Sequence, residues 1–561
     1  MKLRYFKINS PFRGLPVGFS LQFRQNNYYP GDNEEPVCLV GLNGSGKSNS
    51  LEVLSELFYY LELQTSATDK ALESIRTRYA FLDFELQYEI SVYKWREAYS
   101  QINEKLKISP NEKVLIKWRK KKDEQIQINV HSLAASGAIF ENVPIKFWSA
   151  LLPSQVIGYS SGQNELISNP FIKLDYHYFD EFVKSTQSKA YLETNTDINR
   201  MFFMDYESNE LIVIANYLFE APSTKKSKSK EDVNLKLGIE ELHSFGLKIQ
   251  FRNYDGKIIN YPSEIILGIE KLKKCATTFQ DNEKEVKSKQ YRSIELHFFS
   301  DIAVKKAFRN QFKTPFELFR LLYLLRLMNI HCISPSTRKK IQEAPRNTNL
   351  SDLIPKPEVE TLAFKVLDIC FRKRNVTEPV RYKQLSDGEH QLLHIIGTIK
   401  IMTQNDVLFL LDEPETHFNP SWRAKMIRLI MELNQEDQLE HDHFITSHSP
   451  FIISDCKPTN VYLFDKKSGK LNVQTAHGKR FNTFGTSVNI LTEEVFDKNE
   501  SQGEFAGITI NELMSRKYNS IEDINKAKED SKILGDSVEK TLLFRKLIMF
   551  EDELKKKKKK K

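Results

Sequence analysis

Residues 41–50 read Gly-Leu-Asn-Gly-Ser-Gly-Lys-Ser-Asn-Ser, which fits the pattern glycine, four free positions, glycine, lysine, serine. Each residue type has a task in holding phosphate. Gly41, Gly44 and Gly46 permit backbone angles and a close approach that a side chain would forbid. Asn43, Ser45 and Asn49 complete a loop whose amides, with the following helix N-terminus, can face anionic oxygens. Lys47 is suited to neutralise β and γ oxygens, and the Ser48 hydroxyl to ligate Mg²⁺. Far downstream, Asp412 and Glu413 stand side by side. That arrangement suits a metal-shell carboxylate next to a base that activates water. His448 and the pair Ser386 and Gly388 are the remaining candidates.

The elements around these residues would have to place them together. Val37-Cys38-Leu39-Val40 is a short continuous apolar run, the pattern of a strand buried on both faces. After the loop, Leu51, Leu54, Leu57, Phe58 and Leu61 recur at helical spacing. Val407 to Leu411 is a second buried strand, with the two acids at its carboxyl end. In open parallel sheets ligands sit at that end. Phe444-Ile445-Thr446-Ser447 is a third strand and precedes His448, and Asn460 to Phe464 is a fourth. Ser386, with Glu389 three residues on, has the spacing of a capping box, and Leu392, Leu393, Ile395, Ile396 and Ile399 give that helix its apolar face. A plain capped helix is one reading of this stretch; a phosphate-facing helix start, with Gly388 and a free hydroxyl, is the other.

Length allows three to four domains, and 40% apolar with 28% charged residues is ordinary for a globular chain. No apolar stretch is long enough for a membrane helix, and Met1 to Phe12 lacks a secretory signal, so a cytoplasmic protein is expected. Five scattered cysteines suggest neither a zinc knuckle nor a redox pair. Seven of the eight net positive charges are the run Lys555 to Lys561, so the rest of the chain is close to neutral. Such a tail would bind any polyanion; a solvated tail is the equal alternative. Lys117 to Lys122 and Arg372 to Arg374 are local basic runs, more often solvated faces than nucleic-acid sites.

As a set, these four elements resemble the ABC-type ATPase heads of the SMC, RecF and OLD group, over residues 1 to about 65 and about 380 to 465. On that resemblance Gly41 to Ser48 is the Walker A loop, and Asp412 and Glu413 are Walker B. His448 is the switch histidine, and Leu385 to Glu389 is the signature loop, with Asp387 where these families usually place glycine. Glu415 to Pro420 resembles the D-loop region. The family also implies a glutamine that senses γ-phosphate and Mg²⁺; Gln163, after Val156 to Gly162, is the candidate for both roles, with plain loop as the even alternative. It implies ATP and Mg²⁺ as cofactors and a head-to-tail homodimer, or a higher oligomer, with two ATP molecules at its interface. Ser386 would then act in trans.

More than 300 residues separate Ser48 from Ser386. That is too long for a transporter domain, and no sustained heptads fill it as a coiled coil would. Phe81 to Ile90 alternates like a strand, Ser223 to Asp232 is a polar loop, and helical patterns dominate from about Ser263 to Asn329. The expected class is α/β. Residues 1–165 and 376–470 would form the head, 166–375 a mixed insertion lobe that is largely helical towards its end, and 471–561 a helical region with the lysine tail. A Toprim nuclease domain needs an Asp-x-Asp pair; none follows His448 in the last 113 residues, so no intrinsic nuclease is expected.

This layout resembles restriction-associated and Septu-type defence ATPases, including those encoded beside retrons. The resemblance implies an ATP-hydrolysing regulatory scaffold in a prokaryotic antiviral complex. Its partner would be an HNH endonuclease, and in the retron-linked case also a reverse transcriptase with its DNA–RNA product. A RecF- or SMC-like repair ATPase acting directly on DNA is the alternative. A nucleotide-gated scaffold that scarcely turns over is a third reading.

Overall fold

The computed structural model describes residues 1–24, 34–66, 69–91, 113–133, 138–162, 165–185, 199–220, 237–286, 289–436, 439–467, 469–497 and 503–559. A seven-stranded sheet organises the larger of two compact units, Met1–Thr486. Its strands are β3 (Val37–Gly41), β8 (Gln155–Ser160), β9 (Met201–Phe203), β15 (Val407–Asp412), β16 (His441–Ser447), β17 (Val461–Lys467) and β18 (Lys470–Thr475). Their order is β18-β17-β3-β16-β15-β8-β9, and every pairing except β17 with β18 is parallel. All five residues of β3, all six of β15 and all seven of β16 are buried, as central strands covered on both faces must be, although β16 carries His441, Asp442 and His443.

The parallel arrangement turns distant sequence into one edge. The register aligns Ser160 with Asp412 and Asp412 with Thr446, while Ser447 lies opposite Val40, one residue before Gly41. Residues from four separate segments therefore finish their strands side by side. The helix Lys47–Ser66 leaves the same edge and is buried almost along its whole length, including Leu51, Leu54, Leu57, Phe58 and Leu61.

Helix Lys47–Ser66 shares one core with an antiparallel sheet of order β2-β1-β4-β5-β6-β7. Those strands are β1 (Lys2–Ile8), β2 (Phe19–Gln22), β4 (Phe84–Ser91), β5 (Lys113–Lys120), β6 (Gln127–Ser132) and β7 (Ala138–Phe140). Phe23, just after β2, meets Phe444 of β16 edge-on at 4.8 Å between ring centres. Beside it, Arg24 Nη2 donates to Asp442 Oδ1 at 2.6 Å, both side chains wholly buried, and Asp442 Oδ2 accepts from the Leu3 amide at 2.7 Å. This ion pair ties the first residues to a strand more than 400 positions later. Asp442→Ala strands a buried guanidinium, and the expected cost is about 3–5 kcal/mol of unfolding free energy, read by urea denaturation. Replacing both partners by apolar residues of similar volume should cost much less; equal costs would mean that packing, not charge, holds the joint.

A third sheet, of order β11-β12-β10-β13-β14, is formed within residues 239–381 and so reaches past the expected insertion bound at 375. It contains β10 (Ile239–Gln250), β11 (Thr278–Val286), β12 (Lys289–Phe299), β13 (Phe364–Lys373) and β14 (Val380–Arg381). Helices Ser263–Cys275, Ile302–Gln311 and Pro315–Leu327 bracket a β-hairpin, so the helical pattern expected from Ser263 to Asn329 is interrupted. The reason is visible in β12, where Ile294, Leu296 and Phe298 alternate into the core. The second unit, Ser487–Lys561, contains helices Val488–Phe496, Glu504–Ser515, Ile521–Asp530 and Val538–Lys559. Leu513, Tyr518, Ile524, Ala527, Leu543 and Leu547 form its small core. Among the described residues no helix is long and apolar enough to cross a membrane.

Candidate nucleotide site

The loop between β3 and helix Lys47–Ser66 needs its glycines for stated reasons. Gly41 has φ +150°, and a Cβ there would lie 2.3 Å from the carbonyl oxygen of Phe464 on the neighbouring strand. Gly46 has φ +102°, a region that side chains disfavour. Asn43 is exposed and Ser45 is buried, while Asn49 Nδ2 donates to Glu52 Oε2 at 3.1 Å within the first turn of the helix. Lys47 is buried, and its ammonium donates to the carbonyls of Gly41 at 2.9 Å and Leu42 at 3.1 Å.

Asp412 is the meeting point of the sheet edge. Its Oδ1 accepts from Ser48 Oγ at 2.7 Å and from Thr446 Oγ1 at 2.6 Å, and its Oδ2 lies 3.5 Å from Ser160 Oγ. Glu413 follows in the left-handed backbone region, φ +48°, an uncommon setting for a non-glycine residue. Its amide donates to Thr446 Oγ1 at 3.0 Å and to the Thr446 carbonyl at 3.2 Å, which holds that turn. His448 Nε2 lies 2.9 Å from Lys47 Nζ and 3.4 Å from Glu413 Oε1.

These contacts settle the charges. Burial, and then the nearby Lys47 ammonium, lower the His448 pKa to about 4, so the imidazole is neutral near pH 7. An ammonium has only donors, so Nε2 accepts from Lys47 and the ring proton sits on Nδ1. The His448–Glu413 contact is thus not an ion pair. Burial lowers Lys47 to about 8 against the opposing pull of Glu413 and Asp412. Burial, reinforced by the Asp412 charge and opposed by Lys47, raises Glu413 above the ordinary carboxylate range.

The sequence candidates fall into two groups. Lys47, Ser48, Asp412, Glu413 and His448 converge at one edge. Ser386 and Gly388 instead open the helix Asp387–Ile401, where Ser386 is exposed and caps it. The Ser386 amide and hydroxyl donate to Glu389 Oε2 at 2.8 and 3.1 Å, completing the capping box. A Cβ on Gly388 would sit 2.9 Å from the His417 carbonyl oxygen, so its glycine is explained by the close approach of the turn after Glu413. Gln163 lies outside the described residues. Sequence reading did not single out Thr446, Ser160 or Gln391 as site residues. Gln391 joins the turn to the sheet, accepting from the His417 amide at 2.9 Å and donating to Tyr159 Oη at 3.0 Å. The available signal was a hydroxyl residue ending an otherwise apolar buried strand.

A family model described as "AAA domain, putative AbiEii toxin, Type IV TA system" matches residues 206–454. That stretch holds Ser386, Asp412, Glu413 and His448 and excludes the Gly41–Ser48 loop. No curated protein matches the chain. Among solved structures, an SMC head bound to the C-winged helix domain of ScpA is similar at 10% identity and TM-score 0.33, over 86% of this chain and 99% of that one. The SMC head domain from Thermotoga maritima is similar at 9% and 0.31, over 85% and 99%. UvrA2 from Deinococcus radiodurans is similar at 12% and 0.26, over 89% and 59%. At scores of this size the sheet order and loop placement carry the fold assignment. The chain is an α/β fold whose parallel sheet is assembled from N- and C-terminal parts, with a glycine loop opening at the carboxyl edge between β3 and the helix Lys47–Ser66.

Proposed function

We propose that this protein binds and hydrolyses Mg-ATP, and that it does so as the regulatory scaffold of a prokaryotic antiviral complex whose cutting is done by a separate HNH endonuclease. The observation that carries the first part is the convergence of Lys47, Ser48, Asp412, Glu413 and His448 at the carboxyl edge of one parallel sheet. The donor set suits Mg²⁺: Ser48 Oγ and Asp412 Oδ1 are hard oxygens 2.7 Å apart, and Mg²⁺ is typically held by one or two carboxylates plus substrate phosphates. Among the described residues no cluster of three or more His, Cys, Asp or Glu competes with it. Ser48 and Asp412 would hold Mg²⁺, which when bound would supply neutralisation of the negative charge developing on the phosphates.

The chain's own groups do the rest. Glycine-loop amides and the helix start hold the phosphates, and Lys47 leaves the loop carbonyls to pair with β and γ oxygens. That departure frees the His448 Nε2 lone pair, so the neutral ring can hold its one proton on Nε2 instead of Nδ1 and donate a hydrogen bond to a γ oxygen. Glu413, kept basic by its raised pKa, takes a proton from the attacking water as the new oxygen–phosphorus bond forms and the bond to ADP breaks. Ser386 stands on an exposed helix start, accessible to the nucleotide of a second copy. A head-to-tail dimer with two ATP molecules is the assembly this supports.

Two observations favour a regulator over an ATPase that acts on DNA directly. The matched family's description names a "putative AbiEii toxin, Type IV TA system", not a protein that acts on DNA. Several members of the internal basic runs are also engaged within the fold: Arg372 faces Glu241 at 3.4 Å, Lys373 faces Glu389 at 2.7 Å and Arg119 faces Glu85 at 3.5 Å, while Lys120 is buried on backbone carbonyls. Purification of tagged protein from its own host, with nucleic acid retained and masses determined, tests the reading. A small HNH protein should copurify, and a reverse transcriptase with its DNA–RNA product where a retron is present. A bare dimer that binds DNA in the presence of ATP contradicts it.

A further inference from the structure

Glu415 is a buried acid that the mechanism above leaves without a task. It is 4% exposed and lies two residues beyond Glu413. Its Oε1 accepts a close hydrogen bond from Ser447 Oγ. The same hydroxyl oxygen accepts from the Ser449 amide at 2.9 Å. Ser447 and Ser449 flank His448 on either side, so one carboxylate fixes the chain before and after the histidine. From the geometry we infer that Glu415 is a positioning residue for ATP hydrolysis, holding the His448 loop through Ser447 so that the imidazole stands over Lys47 and beside Glu413.

The surroundings fit that task. The backbone turn around Glu415 is closed on itself, with the Phe418 amide donating to the Glu415 carbonyl at 3.0 Å and Thr416 Oγ1 donating to the Glu413 carbonyl at 2.9 Å. Such a turn keeps the carboxylate fixed relative to Glu413, so the base and the histidine are referred to one rigid segment. Burial raises the Glu415 pKa to about 7, against the hydrogen bond from Ser447. A carboxyl group in either protonation state still has an oxygen to accept from Ser447, so an uncharged acceptor should serve as well. Misplacing a reacting group by about 1 Å can cost on the order of 100-fold in rate.

The inference rests on the ATP-hydrolysis reading, and one set of steady-state measurements separates the two. Glu415→Leu and Ser447→Ala should each lower kcat about 10- to 100-fold with the KM for ATP little changed. Glu415→Gln, which keeps an acceptor for Ser447, should retain most of the activity. In a His448→Ala background, Glu415→Leu should add no further loss, because its effect passes through the histidine. Ser447→Ala removes little volume and decides the matter if Glu415→Leu fails to fold, as judged by its melting curve. Wild-type kcat in a folded Ser447→Ala, or losses that multiply with His448→Ala, would overturn the inference. Absence of turnover in the wild type would overturn the ATPase reading and this one with it.

Discussion

Glu413→Gln should bind Mg-ATP as the wild type does and hydrolyse it about 100- to 1,000-fold more slowly, the range expected when a positioned general base is removed. The substitution keeps size and hydrogen-bonding capacity and removes only the basic oxygen. The backbone should survive it, because the turn is held by the Glu413 amide on Thr446 rather than by the side chain. Two features make this carboxylate a better base than an exposed one: it is partly buried, and Asp412 is its neighbour, and together they raise its pKa against the opposing pull of Lys47. Asp412 is otherwise engaged: its Oδ1 accepts from both Ser48 and Thr446, and its Oδ2 faces Ser160 Oγ. Phosphate release against time checks the rate, and nucleotide retained through gel filtration checks the trapped state. Equal turnover in the two proteins would remove Glu413 from the mechanism.

Lys47→Ala should weaken ATP binding by about 100-fold or more, because charge-assisted hydrogen bonds to phosphate are worth roughly 1.5–3 kcal/mol each and Lys47 can make more than one. Turnover should fall below detection. The fold should hold, since the lysine's described partners are loop carbonyls and His448. The same residue gives wild-type binding a pH dependence whose sign can be worked out. Free Lys47 titrates at about 8, and phosphate anions raise that value in the complex. Affinity is therefore steady below pH 8 and falls as pH rises through 8, since binding then has to take up a proton. Titration calorimetry at pH 7, 8 and 9 in matched salt reads this. An affinity that rises with pH would mean that Lys47 does not contact the phosphates.

The head was legible because its strands are buried on both faces. Val37 to Val40 and Val407 to Leu411 are apolar without a break, Phe444 and Ile445 lead into Thr446 and Ser447, and each segment becomes a central strand of the parallel sheet with the candidate residues at its carboxyl end. The capping box of Ser386 and Glu389 was legible for a similar reason, being a local hydrogen-bond pattern with fixed spacing. Thr446, Ser160 and Glu415 were harder to see. Their partners are Asp412 and Ser447, 34, 252 and 32 residues away in sequence, and only the parallel register makes them neighbours. The hairpin from Thr278 to Phe299 was hidden because β11 reads Thr-Phe-Gln-Asp-Asn-Glu-Lys-Glu-Val, a polar run with no core-facing alternation of its own. Its pairing depends on β12, whose alternation is clear only once its two faces are known. Arg372 to Arg374 reads as a possible polyanion site in one dimension; Glu240, Glu241 and Glu389, each brought close by folding, cancel it.

An ATP-hydrolysing site completed by a second copy of the chain would work only in the assembled dimer. The most direct test is phosphate release from Mg-ATP by the full-length protein over a wide range of protein concentration. Turnover per chain should climb with concentration, level off as dimers fill, and fall about 100- to 1,000-fold in Glu413→Gln. Turnover per chain independent of concentration, or no release at any concentration, would contradict it.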